Sequence, residues 1–403
     1  MSIATLPEPV LATRLTAPRA GSLTAPFILF RDDFSGDSLL LREPAKIIVA
    51  EQAGDFFSAM DEVQRAHDEG KWLAGYLSYE AGYLLEPKLA PLLPSGRRTP
   101  LLAFGVFDAP SEAETVLRPP QATDGPIHDA RAIWTFPAYK SRFDRVHRHL
   151  RQGDCYQANL TFPIKARWTG DPLSAFDALA ARQKVRHGAL VALGGPVILS
   201  RSPELFFRVD GEGWIETHPM KGTAPRGKTA EEDEHLKRFL MNDPKNQAEN
   251  RMIVDLLRND ISLISEVGSL DVPELFRVES FATVHQMVSR VRAKLLPGLS
   301  IQQIFAALFP CGSITGAPKI RAMEILRELE TTPRDAYCGA IGWIEPSGRM
   351  RFNVAIRTIS LFPNGEAIYN VGGGVVFDST AEEEYDECLL KARYATGTVP
   401  ASN

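Results

Sequence analysis

The chain has 403 residues, 44% hydrophobic and 24% charged, the balance of a soluble globular protein with length enough for a large core. Its net charge of −5 argues against a nucleic-acid partner, whose affinity would rest on clustered lysine and arginine. Four scattered cysteines (Cys155, Cys311, Cys338 and Cys388) are too sparse for a disulfide framework or a C-x-x-C site and read as buried thiols of a cytoplasmic protein.

The opening MSIATLPEPVLATRL lacks a basic start followed by an apolar block, so no signal peptide is expected. Next, DFFSAMDEVQRAHDEGK reads as a helix and WLAGYLSYEA as a strand. The Pro-, Gly- and Asp-rich stretch from Asp108 to Ala130 reads as a surface connection. It divides an N-terminal subdomain (1–120) from a catalytic region (130–400), as a seam within one globule. GALVALGGPVIL, the most apolar window, is too short and too broken to cross a bilayer.

From Glu204, ELFFRVD-GEG-WIETHPM reads as two strands around a glycine-rich turn. With the turn centred on Gly211 and Glu212, Glu204 falls opposite Pro219. Glu204 and Lys221 are then diagonal neighbours on one face, roughly 7–8 Å apart. Such a pair could hold a small ring between an acid and a desolvated, nucleophilic amine, or be a plain surface ion pair.

Immediately after, GTAPRGKT from Gly222 to Thr229 fits the phosphate-loop pattern G-x-x-x-x-G-K-[ST]. The physics rejects it. Pro225 has no N–H to offer, the preceding WIETHPM is not a buried parallel strand, and AEEDE follows where a polyphosphate would lie. That acidity suits a helix N-terminus in solvent.

NDPKNQAENRMIVDLLRND then reads as a helix capped by Asp243, with Pro244 at its first position. The tail VGGGVVFDSTAEEEYDECLLKARY passes from a glycine turn into a helix capped by Ser379 or Thr380. Asn246 and Glu249 share a face of the first helix, and Glu384 and Glu387 a face of the last. Two such oxygen-rich pairs could hold Mg²⁺ together with an anionic substrate, or be solvated helix faces.

Seven segments in order (HPMKGTAPRG, AENRMIVDLLRND, FPCGSITGAPKIRAMEILRELE, YCGAIGW, FNVAIRTI, VGGGVVFDST and EYDECLLKA) resemble the chorismate-utilising enzymes over about Gly153 to Ala395. That family includes anthranilate, aminodeoxychorismate, isochorismate and salicylate synthases. The resemblance implies an α/β fold of two stacked, mostly antiparallel sheets flanked by helices, with the site in a cleft between them.

Two positions choose the branch. Lys221 stands where enzymes that add ammonia or water directly at C2 of chorismate carry alanine, whereas aminodeoxychorismate synthases carry lysine. Gln157 stands where isochorismate and salicylate synthases have a water-activating lysine. The resemblance therefore implies amination of chorismate at C4, with Lys221 as covalent nucleophile and Glu204 as acid. An anthranilate synthase component I, or a chorismate-binding protein without turnover, is the alternative.

It further implies Mg²⁺ held through Glu249, Glu384 and Glu387. Tyr337 and Arg357 would anchor the enolpyruvyl carboxylate, with Gly372 and Gly374 offering backbone N–H groups. Gly222, Thr223, His285, Thr315 and Lys391 would line the pocket. Asn246 departs from the acidic residue of many relatives, and PFILFRDD lacks the Leu-Leu-Glu-Ser element tied to tryptophan binding, so no tryptophan feedback is expected. No cysteine lies in a nucleophile elbow, so ammonia is expected from solution or from a separate glutamine amidotransferase subunit. The ending KARYATGTVPASN leads to the expectation that no lyase domain follows.

Overall fold

The computed structural model describes residues 26–111, 125–280 and 284–402. The opening stretch read for a signal peptide and the boundary near residue 120 lie outside these residues.

Two sheets organise the chain. The first runs Ser38–Arg42, Phe27–Arg31, His187–Ala192, Val197–Ser202, Thr358–Leu361, Glu366–Val375, Gln157–Trp168, Ile127–Ala132 and Ala401–Ser402. The second runs Met220–Pro225, Val284–Lys294, Trp214–Thr217, Leu205–Val209, Met350–Val354, Ala340–Ile344, Trp72–Leu77, Leu102–Phe107 and Lys46–Ala50. Among the described pairings only Ala401–Ser402 with Ile127–Ala132 is parallel. The region before residue 112 contributes strands to both sheets: Phe27–Arg31 pairs with His187–Ala192, and Trp72–Leu77 with Ala340–Ile344.

Strands buried on both faces explain the apolar runs that carry no alternation. In Phe27–Arg31, Phe27 and Leu29 belong to the apolar cluster on the outer, helix-covered face of the first sheet, together with Phe176, Leu190 and Ala192. Ile28 and Phe30 turn the other way, against Tyr76, Phe107 and Trp343 of the second sheet. Successive residues of a strand face opposite sides, so a strand between two apolar layers needs both parities apolar. The outer face of the second sheet carries the third cluster, where Phe207, Phe305 and Phe352 meet in edge and stacked ring contacts.

Local signals act where the sequence put them. The first helix runs Phe56–Asp68 and is followed by the strand Trp72–Leu77. Asp243 caps the helix Pro244–Ser262 by accepting from Asn246 N, with proline in its first turn. Thr380 caps Ala381–Thr396, accepting from Glu383 N. All four cysteines are free and buried. No helix among the described residues is long and apolar enough to cross a membrane.

Candidate active site

The site sits where the backbone crosses between sheets. Pro203 and Glu204 connect Val197–Ser202 of the first sheet to Leu205–Val209 of the second, and residues 355–357 connect Met350–Val354 back to Thr358–Leu361. The two crossovers are bonded together, Val354 N donating to Glu204 O at 3.2 Å and Arg201 N to Arg357 O at 2.9 Å. Arg357 adopts a left-handed φ of 51°, a conformation of roughly 1–3 kcal/mol strain for a non-glycine residue. Its guanidinium carries no hydrogen bond to a protein group among the described residues. The Tyr337 and Tyr394 phenols and the Glu204 carboxylate are its electrostatic neighbours.

Glu204 is buried, and burial pushes its carboxyl up to about 7 against the opposing pull of a Ser313 hydrogen bond and the charges of Lys221 and Arg357. Its Oε1 has no hydrogen-bond partner among the described residues. Ser313 comes from the short turn Gly312–Ile314, where its hydroxyl also lies 3.3 Å from Cys311 Sγ.

The hairpin register differs from the sequence expectation by one. Arg208 pairs with Glu216 and Val209 with Ile215 around a three-residue loop closed by Gly213 at φ 78°. The second strand ends at Thr217, and its pairing with Leu205–Val209 stops at Arg208↔Glu216. Met220–Pro225 continues along the same partner, Val284–Lys294, in the same register from Thr217↔Val291 to Met220↔Val288. Lys221 and Glu204 are therefore not diagonal neighbours of one hairpin. Instead, the ladder gains a residue between Met220↔Val288 and Thr223↔Gln286, a bulge at Lys221–Gly222 with Gly222 at φ 78°. Bulges re-aim a side chain, and this one sends Lys221 across the gap to the first sheet. There its Nζ lies 3.4 Å from the position a Cβ on Gly374 would take, beside the Gln157 amide.

Burial lowers the Lys221 pKa, and the Lys391 charge adds to this, while Glu249, Glu204 and Glu387 pull it back. Gln157 is buried, and among the described residues neither its amide nitrogen nor its amide oxygen has a hydrogen-bond partner.

The glycine trio is not a turn but the inner part of the strand Glu366–Val375. Its neighbour Thr358–Leu361 reaches only Tyr369, so from residue 370 the ladder has a partner on the Gln157–Trp168 side alone. Gly372 and Gly374, two apart, direct their backbone polar groups to the same edge. Lys391 Nζ donates to Gly372 O at 3.2 Å and pairs with Glu387 at 2.8 Å. A side chain at 373 would meet Glu384 Oε2 at 2.4 Å.

Three predicted residues serve the lysine strand. The buried His285 ring lies 2.9 Å from both Ser280 Oγ and Asp233 Oδ1, so both nitrogens are engaged. Thr223 Oγ1 donates to Gln286 Oε1 at 3.0 Å, and Gln286 Nε2 to Gly222 O at 2.7 Å. Gly222 itself packs against Asn246, where an added Cβ would stand 2.7 Å from the amide oxygen. Thr315 spends its hydroxyl on Cys311 O at 3.1 Å.

The phosphate-loop letters form the end of an edge strand and a helix cap. The N–H groups of Gly227 and Lys228 are taken by the Asp233 and Glu232 carboxylates, at 2.8 and 2.7 Å. Those are the donors a phosphate would need.

The oxygen donors Glu249, Glu384 and Glu387 fit a hard divalent cation by chemistry. Glu249 and Glu387 both act on the Lys221 charge, from two different helices. Burial raises the Glu384 pKa and the Glu387 charge adds to it, a like-charge conflict that a bound cation would relieve. Among the described residues no three carboxylate, histidine or cysteine side chains stand together so as to hold a metal ion by themselves, so water and substrate oxygens would have to supply most of the shell.

Sequence reasoning missed Ser313 and Tyr394. Tyr394 was within reach: 384, 387, 391 and 394 step by three, four and three along one helix face. Ser313 carried no pattern of its own.

The chorismate binding enzyme family model matches residues 25–397. Aminodeoxychorismate synthase component 1 of Escherichia coli K12 is 44% identical over 263 residues, 65% of this chain and 58% of that protein. The Klebsiella aerogenes protein of the same name is 43% identical over 65% of this chain and 57% of its own length. An anthranilate synthase component 1 of Haloarcula marismortui is 39% identical over 70% of this chain and 58% of its own. The chain thus spans less than two thirds of the length of these relatives. Among solved structures, anthranilate synthase component I of Streptococcus pneumoniae TIGR4 superposes with a TM-score of 0.76 at 25% identity, covering 98% of this chain and 100% of that one. The menaquinone-specific isochorismate synthase MenF of Escherichia coli, at TM-score 0.71 and 17% identity over 93% and 89% of the chains, shares the fold.

Proposed function

The chain belongs to the chorismate-binding enzymes, and on that premise we propose that it aminates chorismate to 4-amino-4-deoxychorismate, as component I of an aminodeoxychorismate synthase. The observation that carries the reading is the Lys221 amine, with its pKa lowered by burial, facing the first sheet at Gly374 and electrostatically coupled to a carboxyl, Glu204, that burial holds protonated up to about 7.

The chemistry follows from these two states. Neutral Lys221 attacks C2 of chorismate, the ring double bond shifts, and the C4 hydroxyl departs as water with the proton of Glu204. Ammonia then attacks C4, the double bond shifts back, and the lysine amine leaves C2. The proton lost by the incoming ammonia returns to the base, so the net change is chorismate and ammonia to 4-amino-4-deoxychorismate and water. Dividing one displacement into two lowers the barrier of each. Arg357 and Tyr337 would hold the enolpyruvyl carboxylate, for which a guanidinium fork is suited. Mg²⁺, held by Glu249, Glu384 and Glu387 with water, would neutralise the ring carboxylate when bound. Ammonia would come from a glutamine amidotransferase partner.

The test is to incubate the purified chain with chorismate, Mg²⁺ and excess ammonium at alkaline pH, beside a Lys221→Ala sample, and to identify products by mass spectrometry. An aminated product that keeps the enolpyruvyl group, absent from the variant, is expected. Anthranilate with pyruvate would mean the other branch of the family. Unchanged chorismate, still bound, would mean a binding protein.

A further inference from the structure

Arg334 lies outside the cluster just described, yet its guanidinium touches the walls that form it. It is 2% exposed and stacks over the Tyr79 ring at 4.2 Å. Nη1 donates to Ile314 O at 3.0 Å, and Nη2 to Asn159 O at 2.8 Å. Nε and Nη2 also grip the two Glu330 oxygens at 2.8 and 2.7 Å. Glu330 in turn accepts from Thr161 N and Oγ1, both at 3.0 Å.

The carbonyl and carboxylate contacts lead to site residues by one step along the backbone or across the strand ladder. Ile314 follows Ser313, whose hydroxyl serves Glu204. Asn159 and Thr161 are the ladder partners of Gly374 and Gly372. The Arg334 carbonyl accepts from Tyr337 N at 3.1 Å, and Tyr337 stands between Asp335 and Cys338, non-glycine residues at φ 56° and 62°. That strained loop is held from the N-terminal region, where buried Glu80 accepts from Arg334 N at 2.7 Å and Asp335 N at 3.0 Å.

We propose that Arg334 is a positioning residue for the amination, setting the spacing between the wall that carries Glu204 and Ser313 and the wall that carries the glycines facing Lys221; the inference rests on the function proposed above. The reason is geometric. Only a planar fork with donors on both edges can satisfy two carbonyls and a carboxylate at once, and a lysine ammonium cannot span them. Misplacement of reacting groups by about 1 Å costs on the order of 100-fold in rate.

The test uses the full chain with chorismate, Mg²⁺ and saturating ammonium, comparing wild type, Arg334→Lys and Arg334→Ala, with thermal melting recorded for each. Arg334→Ala is expected to lose about 100-fold in kcat with KM for chorismate raised only a few-fold. Millimolar guanidinium should restore at least tenfold, and methylammonium should not. Arg334→Lys, which keeps the charge, should stay folded and lose about tenfold in kcat. Wild-type kcat in the folded lysine variant would overturn the proposal. So would a loss in the alanine variant that follows unfolding alone and is not restored by guanidinium. A wild-type chain that leaves chorismate unchanged would instead sink the functional reading, and this inference with it.

Discussion

Lys221 Nζ stands 3.4 Å from the place of a Cβ on Gly374, so the lysine strand of one sheet reaches the inner strand of the other at a glycine, with the Gln157 amide beside it. A bulge on one strand and a glycine on another thus create a single contact. Three predictions rest on it and on the carboxyl that faces it.

Gly374→Ala should leave the fold intact and slow catalysis by about tenfold, since the new Cβ would press on the Gln157 amide at 3.2 Å and fill the space directly against Lys221 Nζ, where the substrate must enter. Gly373→Ala makes a useful contrast. There the nearest atom is the flexible end of Glu384, so the higher cost should fall on the Mg²⁺ concentration needed for half-maximal rate. Steady-state kinetics with a magnesium titration separates the two; equal behaviour would contradict the assignment of the two glycines to different neighbours.

Glu204→Gln should reduce kcat by about 10²–10⁴, the usual contribution of a positioned general acid. The same variant should be the more stable protein at alkaline pH. The folded pKa of about 7 lies above the 4.5 of a free glutamate, so the folded state holds this proton more tightly. Its stabilisation is complete below pH 4.5 and is lost as pH rises through 7, about 3 kcal/mol in all. Glutamine does not titrate. Melting curves at pH 5.5 and 8 should therefore show the variant gaining on wild type by several degrees as pH rises, and parallel curves would refute the burial argument.

The rate should be bell-shaped in pH. Catalysis needs Glu204 protonated and Lys221 neutral, which is the minority pairing of the two groups. The product of those fractions rises with pH up to about 7, stays level, and falls above the Lys221 pKa, which burial sets below the usual 10.5. In Glu204→Gln only the lysine requirement remains, so the residual rate should climb to the lysine pKa and then hold. A residual profile that keeps its limb near 7 would assign that limb to another group.

Much of the molecule was legible in the chain. Helix starts at Asp243–Pro244 and Thr380 are written in a few adjacent letters, because a cap is a contact between residues two or three apart. The failure of the phosphate loop was legible for the same reason, and the carboxylates that follow it do occupy its N–H groups. The hairpin register was not. It turned on whether the loop held two residues or three, a choice that the pairing with Val284–Lys294 helps to fix.

By itself the sequence determined which chemical groups exist and on which local elements they ride: a lysine before a glycine, a glutamate after a proline, carboxylates stepped along two helices. The tertiary structure decided which of them meet. Glu204 lies at a crossover between sheets, Lys221 is turned by a bulge, and Gln157, Ser313 and Arg334 join them from segments distant in the chain. Short-range geometry is fixed by bond angles and a few dihedrals, whereas these meetings depend on the summed packing of two sheets, in which no single residue carries the signal.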